Sequence, residues 1–180
     1  MNRSQLEHIV RSASDILPGE EILIIGSQSI LGTWDETRLP REVILSVEAD
    51  VTTLDGGEEK TDMIDGAIGE GSRFHELFGM DAQGVSLKTA VLPQGWRDRL
   101  VKLDNAATRP GHGFCLEPHD CVLAKMVAGR QKDHDFGSAL LKARLLETQT
   151  LAERIELLEI SKRHKVRIRA WLRGAVPTGS

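Results

Sequence analysis

The first segment of the chain carries apolar residues at helical spacing. Leu6, Ile9, Val10, Ala13, Ile16 and Leu17 fall three and four apart, which puts them on one face of a helix over residues 4–17. Ser4 followed by Glu7 has the form of a capping box at its start, and Pro18-Gly19 ends it. The pattern then changes. EILII, residues 21–25, is a short continuous apolar run rich in β-branched residues and reads as a buried strand. Gly26-Ser27 breaks that strand, and SQSILGTW begins a short helix directly after it. Residues 43–51, VILSVEADV, predict a second strand; Glu48 and Asp50 lie two apart on it, so both carboxylates share one face.

Residues 52–73 are rich in Gly, Asp, Glu and Thr and read mainly as loop, with MIDGAIGEG carrying a short helix. FHELFGM, GVSLKTAVL and DRLVKL follow as candidate strands, separated by Gly84 and by Pro93-Gln94-Gly95. RPGHG, residues 109–113, is a turn before FCL. After Pro118 the pattern is helical almost throughout, with helices to about 128, over 132–146, over 149–160, and a last one to about 172. The fold class is α+β: a small α/β part over 1–115, a helical region over 116–173 packed on it, and a tail over 174–180.

Composition narrows the function classes. A 180-residue chain with 40% hydrophobic and 28% charged residues can bury a core, which excludes a fully disordered reading. No apolar run approaches the roughly 18–20 residues of a membrane span. MNRSQLEHIV lacks the apolar centre of a secretory signal, so the expected location is cytoplasmic, with no membrane partner. Two cysteines, Cys115 and Cys121, support neither a disulfide framework nor a four-ligand zinc site. The net charge of -4 argues against wholesale coating of a polyanion but leaves room for a local basic patch. The charge is unevenly spread: residues 36–81 hold a surplus of acids, and residues 125–173 are dense in Lys and Arg. That asymmetry fits a cleft with one acidic and one basic wall, or two solvated surfaces of opposite sign.

Two short patterns carry candidate chemistry. Gly26-Ser27 stands where a strand meets a helix start, where a glycine permits close backbone approach and free N–H groups attract phosphate. Glu48-x-Asp50 pairs two carboxylates that repel each other; on a concave face a divalent cation is their natural counter-charge, and Mg2+ prefers such oxygen ligands with phosphate completing its shell. Either pattern alone also fits a plain turn or the polar face of an edge strand. A third block, EPHDCVLAKMVAGRQKDHDF over residues 117–136, sets Lys125 off an apolar helix stripe and gathers Arg130, Lys132, Asp133 and Asp135 near a helix start.

Taken together, IIGSQSILG and VEADV resemble the minimal nucleotidyltransferases of the polymerase-β-like superfamily. The third block is similar to the segment after the palm in a bacterial branch that includes AbiEii-like and MenT-like toxin proteins. The resemblance covers about residues 20–145 and implies a small mixed-sheet palm with flanking helices. It implies a Mg2+-dependent transfer of a nucleoside monophosphate from an NTP to a hydroxyl of RNA (tRNA among the candidates) or of a protein, in a toxin–antitoxin or defence setting with a cognate partner protein. By the same resemblance Gly26, Ser27, Lys125 and Arg130 bind the nucleotide. Glu48, Asp50 and Asp133 hold the metal, and Lys125 completes the catalytic set. The chain departs from the superfamily pattern in two ways. Glu48 replaces the first Asp, and the region where a third acid is common offers only Asp81, ahead of the expected strand GVSLKTAVL. Those departures keep open a second reading, a decayed site that binds a nucleotide or a partner.

Two further features stand apart. Trp96, after the turn LPQG, is placed either to stack a base or to anchor the core. RHKVRIRAWLR, residues 163–173, is a basic helix that fits either contact with RNA phosphates or a partner, or a solvated face.

Overall fold

The structure, a computed structural model, describes residues 1–175. Seven α-helices and five strands are present among them: α1 (Arg3–Ile16), β1 (Glu21–Ile24), β2 (Glu48–Thr53), α2 (Glu58–Ile68), α3 (Arg73–Phe78), β3 (Asp81–Gly84), β4 (Val101–Leu103), β5 (His112–Cys115), α4 (Pro118–Ala128), α5 (Gln131–Lys142), α6 (Thr148–Glu156) and α7 (Lys162–Ala175). Short 3-10 turns occupy Ser27–Gly32, Arg41–Val43, Leu87–Thr89 and Trp96–Arg99. The fold is α+β, a small mixed palm with flanking helices and a C-terminal helical layer.

The five strands form one sheet in the order β3-β2-β1-β5-β4. β1 runs antiparallel to β2 and parallel to β5; β3 runs parallel to β2, and β4 antiparallel to β5. These directions bring the ends of β1 and β5 and the starts of β2 and β3 to one edge of the sheet. The register confirms it: Ile24 faces Val51, the Ile25 N–H donates to the Asp50 carbonyl at 3.1 Å, and Glu48 faces Asp81. One continuous buried cluster runs from Leu6 and Val10 of α1 through Ile22–Ile24 and Val51 to Leu123, Leu140, Leu151 and Ile168 of the later helices. α1 lies directly on the sheet, because a Cβ at Gly113 would meet Val10 Cγ1 at 2.7 Å.

The helical layer is joined to the palm by buried charge as well as by apolar packing. Asp120, 1% exposed at its side chain, accepts from Arg99 Nε at 2.9 Å and from Arg154 Nη1 at 3.0 Å. Arg154 also pairs with Glu117, which caps α4 by accepting the His119 N–H at 3.1 Å. Turn Trp96–Arg99, α4 and α6 are thus tied at one carboxylate.

Several elements differ from their sequence expectation. α1 is capped two residues earlier: Asn2 accepts the Gln5 N–H at 2.9 Å, and the Gln5 side chain accepts the Asn2 N–H at 2.8 Å. The strand expected from Val43 begins only at Glu48, because Pro40 starts a 3-10 turn (Val43 N–H to Pro40 carbonyl, 3.1 Å) and Leu45 is left 74% exposed. FHELFGM is not a strand but helix α3: Ser72 caps it by accepting the His75 N–H at 3.2 Å, and Gly79, at φ +63°, ends it. GVSLKTAVL forms no strand; the strand is the preceding, mostly polar DAQG, so Asp81 opens β3 rather than lying ahead of a strand. In DRLVKL only Val101–Leu103 pairs, and the expected turn 109–113 gives up His112 and Gly113 to β5. The helices after Pro118 fall near their expected positions, with α5 stopping at Lys142 before Arg144 turns to φ 57°. Of the expected tail, Gly174 and Ala175 complete α7, and residues 176–180 lie outside the described residues. No helix among the described residues is long and apolar enough to cross a membrane.

Candidate active site

The sheet edge described above opens into a cleft of about 460 Å³. Ser27, Glu48, Asp50, Lys125, Arg130 and Asp133 all line it, so six of the seven residues given a role by the resemblance meet in one place, with Lys132 and Asp135 beside them. The seventh, Gly26, acts from behind. A Cβ at Gly26 would lie 1.6 Å from Asp50 Oδ2 and 2.5 Å from Asp50 Cγ, so only a glycine leaves room for the carboxylate where it sits. The backbone at Gly26 (φ -83°, ψ -163°) is open to any residue, so it is space, not conformation, that calls for glycine.

β2 supplies the acidic wall. Glu48 and Asp50 share a face because side chains alternate along a strand, and Ala49 and Val51 are buried behind them. β2 lies inside the sheet between β3 and β1, not at an edge. Burial pushes the Asp50 carboxyl above the ordinary carboxylate range, and Lys125, Arg130 and Lys132 across the cleft only partly offset it. The Glu48 carboxyl is raised as well, by burial first and then by Asp50, Asp81 and Glu70. Asp81, beside Glu48 in register, is buried and also raised by burial. Its nearest basic side chain is His75, Nδ1 to Oδ1 at 3.7 Å. All three carboxyls at this end of the sheet are held above their usual range, with burial the first cause at each, so a bound cation would favour their charged forms.

The turn between α4 and α5 supplies the basic wall. Gly129, at φ +68°, stops α4, and α5 starts immediately. Asp133, in the first turn of α5, accepts from the Arg130 backbone N–H at 3.1 Å, Arg130 Nε at 2.8 Å and Arg130 Nη2 at 3.3 Å. Its other neighbour is Lys125, whose Nζ lies 3.7 Å from Asp133 Oδ1 and 4.9 Å from the centre of the Phe136 ring. Burial acts to raise the Asp133 carboxyl, but the Arg130 hydrogen bond and the Lys125 charge outweigh it and hold the group below its usual range. Asp133 therefore stands between two cations that both reach the cleft. Among the described residues no three carboxylate, histidine or cysteine side chains converge as a ready metal cage.

Several lining residues were not singled out in the sequence. Val43 and Ser46 come from the irregular segment before β2, Gln83 from the short strand β3, and Phe136 from α5. Phe136 carries helical apolar spacing with Leu140, which signals a core residue; its second role, beneath Lys125, has no sequence signature.

Residues 4–170 match the model of a family described as "Nucleotidyltransferase of unknown function (DUF6036)". The chain belongs to that family. Membership makes nucleotidyl transfer the class of activity and a nucleotide the substrate class, and the match spans both the palm and the helices that carry Lys125 and Arg130. No curated protein and no solved structure gives a significant match.

Proposed function

We propose that this nucleotidyltransferase-family protein moves a nucleoside monophosphate from an NTP to a hydroxyl group with the help of Mg2+, in the cleft between β2 and the α4–α5 turn. The observation that carries the proposal is the seating of Asp50 on Gly26, beside Glu48, opposite a wall of Lys125, Arg130 and Lys132.

The donor set fits a hard divalent cation. Glu48 and Asp50 offer two oxygen ligands from one strand face, and their raised carboxyls would be relieved by a counter-ion. Mg2+ typically takes one or two protein carboxylates and completes its shell with water and substrate phosphate, so a third protein ligand is not required. When bound, Mg2+ would neutralise phosphate charge and favour loss of the attacking hydroxyl's proton. Asp133, proposed from the resemblance as a further metal ligand, would have to leave Arg130 to serve; with Arg130 in place it orients Lys125 and Arg130.

The chain's own residues then divide the work. Ser27, which lines the cleft at the turn after β1, receives the phosphates, and Gly26 behind it keeps Asp50 seated. Lys125, Arg130 and Lys132 face the β- and γ-phosphates. The acceptor oxygen bonds to the α-phosphorus as the bond from that phosphorus to the bridging oxygen breaks, and pyrophosphate leaves against the cationic wall. The hydroxyl proton passes to the carboxylate side of the cleft. The similarity to AbiEii-like and MenT-like proteins extends the proposal to a cytoplasmic toxin–antitoxin or defence setting with a cognate partner and an RNA or protein acceptor.

A second reading, a nucleotide-binding module without turnover, is favoured by the absence of a three-acid cluster among the described residues. One experiment separates the readings. The protein is incubated with Mg2+, each α-labelled NTP, and total RNA or total protein, beside Asp50→Ala. Label transfer by wild type and none by Asp50→Ala is expected. Nucleotide binding without transfer supports the module. Neither binding nor transfer sinks both, and transfer that persists in Asp50→Ala refutes the site assignment.

A further inference from the structure

Helix α7 holds six basic residues and no acidic one in 14 positions, in a chain whose net charge is -4. Ile168 and Leu172 point into the core, and Trp171 packs on α5, where a Cβ at Gly137 would meet its ring at 2.7 Å. The opposite face is solvated. Arg163, Val166, Arg167 and Ala170 recur at helical spacing there and line a shallow groove. Arg169 is paired with Glu156, and Lys165 donates to the Glu156 carbonyl. Lys162 and Arg163 have no carboxylate partner among the described residues.

The position of this face gives it meaning. Arg167 Nη2 donates to the Val127 carbonyl at 3.3 Å, and a Cβ at Gly129 would lie 3.0 Å from that same nitrogen. Gly129 precedes Arg130, which lines the cleft. The exposed cations of α7 therefore continue the basic wall of the cleft outward, without an intervening acid on the helix. A row of one sign suits a backbone of regularly repeated phosphates, whereas protein surfaces interleave both signs. The only large apolar side chain exposed on α7 is Val166, which leaves little to anchor a protein acceptor.

We propose that the solvated face of α7 is the docking surface for the acceptor, and that the acceptor is a nucleic acid strand whose terminal hydroxyl is led past Arg167 and Arg130 into the cleft. The proposal rests on the nucleotidyl-transfer reading for its second half only. The strand itself binds whether or not transfer follows.

The test uses the full-length protein, a fluorescent 20-mer RNA and the same sequence as DNA, followed by anisotropy over a salt series. Binding of Mg2+ with each NTP is measured in parallel. Wild type is expected to bind the strand with an affinity that falls steeply with salt. K162E/R163E is expected to bind at least about tenfold more weakly, with a shallower salt slope, since each lost phosphate contact on a single strand removes roughly 0.7 from it. Its melting temperature and nucleotide binding stay those of wild type. Preference for RNA or for DNA identifies the source of the backbone. Strand binding unchanged in K162E/R163E, or no strand binding by wild type, overturns the docking surface. If label is transferred to protein while no strand binds, docking fails and the transfer reading stands. If strands bind through α7 but no nucleotide binds, docking stands and the transfer reading fails.

Discussion

Gly26→Ala isolates the contact on which the site depends. The added methyl would stand 1.6 Å from Asp50 Oδ2, 2.5 Å from its Cγ and 2.8 Å from its Cβ, all far inside van der Waals contact. Side-chain rotation can move Oδ2 and Cγ but not Cβ, which is fixed by a backbone whose carbonyl accepts the Ile25 N–H at 3.1 Å in a strand paired on both sides. The backbone angles at Gly26 suit alanine, so the whole penalty is steric. Overpacking of this kind costs about 1–3 kcal/mol. At about 2–4 °C per kcal/mol for a chain of this size, Gly26→Ala should melt about 4–8 °C below wild type if the penalty is about 2 kcal/mol. Displacing the carboxylate by about 1 Å should also lower transfer on the order of a hundredfold. Asp50→Gly removes all three clashing atoms. In that background Gly26→Ala should be nearly neutral, and the thermal double-mutant cycle should return a coupling of about 2 kcal/mol. Gly26→Ala that melts within about 1 °C of wild type, or that costs as much in the Asp50→Gly background as alone, would refute the argument that Gly26 exists to seat Asp50.

Three further outcomes follow from the same geometry. Asp50→Asn should be more stable than wild type at neutral pH in the absence of divalent cations. Because burial raises the folded carboxyl above its unfolded value, the native state holds its proton longer, and wild-type stability falls as pH rises from the ordinary carboxylate range through the raised value; urea melts should show the gap closing toward acid. Mg2+ or Mn2+ should stabilise the wild type by RT ln(1 + [L]/Kd), about 2.7 kcal/mol at a hundredfold excess over Kd, read as a higher melting temperature, and should leave Asp50→Asn unmoved. Asp120→Asn should lower stability by about 3 kcal/mol, because it removes the buried negative charge that Arg99 and Arg154 share and turns one acceptor oxygen into an NH2 donor facing a cation; calorimetry should show this with Mg2+-nucleotide affinity intact below the transition.

Parts of the palm were legible because short-range chemistry alone determines them. EILII is a short, β-branched apolar run and forms β1, and Gly26-Ser27 after it breaks the strand into a short helical turn. Two carboxylates at i and i+2 share a face of any strand, so Glu48 and Asp50 were paired before β2 was located. The helices after Pro118 were legible for a similar reason: Pro118, Gly129 and the apolar spacing between them mark start, stop and face. The segments that were misread are those whose structure is set by distant partners. DAQG has neither alternation nor β-branched residues, and it becomes β3 only because β2 presents unpaired backbone groups beside it. FHELFGM and VILSV have strand-like composition, yet Ser72 and Gly79 close the first into a helix, and the 3-10 turn after Pro40 takes Val43 and leaves the rest of the second irregular.

The third acid shows where sequence spacing runs out. Asp81 and Asp133 were both within reach of the first pair as far as the chain order could say. The structure separates them by their company rather than their distance along the chain. Asp133 is surrounded by cations, with Arg130 across both its oxygens and Lys125 at 3.7 Å, so its charge is already spent in organising the basic wall. Asp81 is surrounded by carboxylates, in register with Glu48 and near Glu70 and Asp65, with only His75 opposing them. Acidic side chains therefore gather on the β2–β3 side of the cleft, and Lys125, Arg130 and Lys132 on the α4–α5 side. A ligand that carries both a cation and phosphates satisfies the two walls at once, whereas either component alone leaves one wall unmatched.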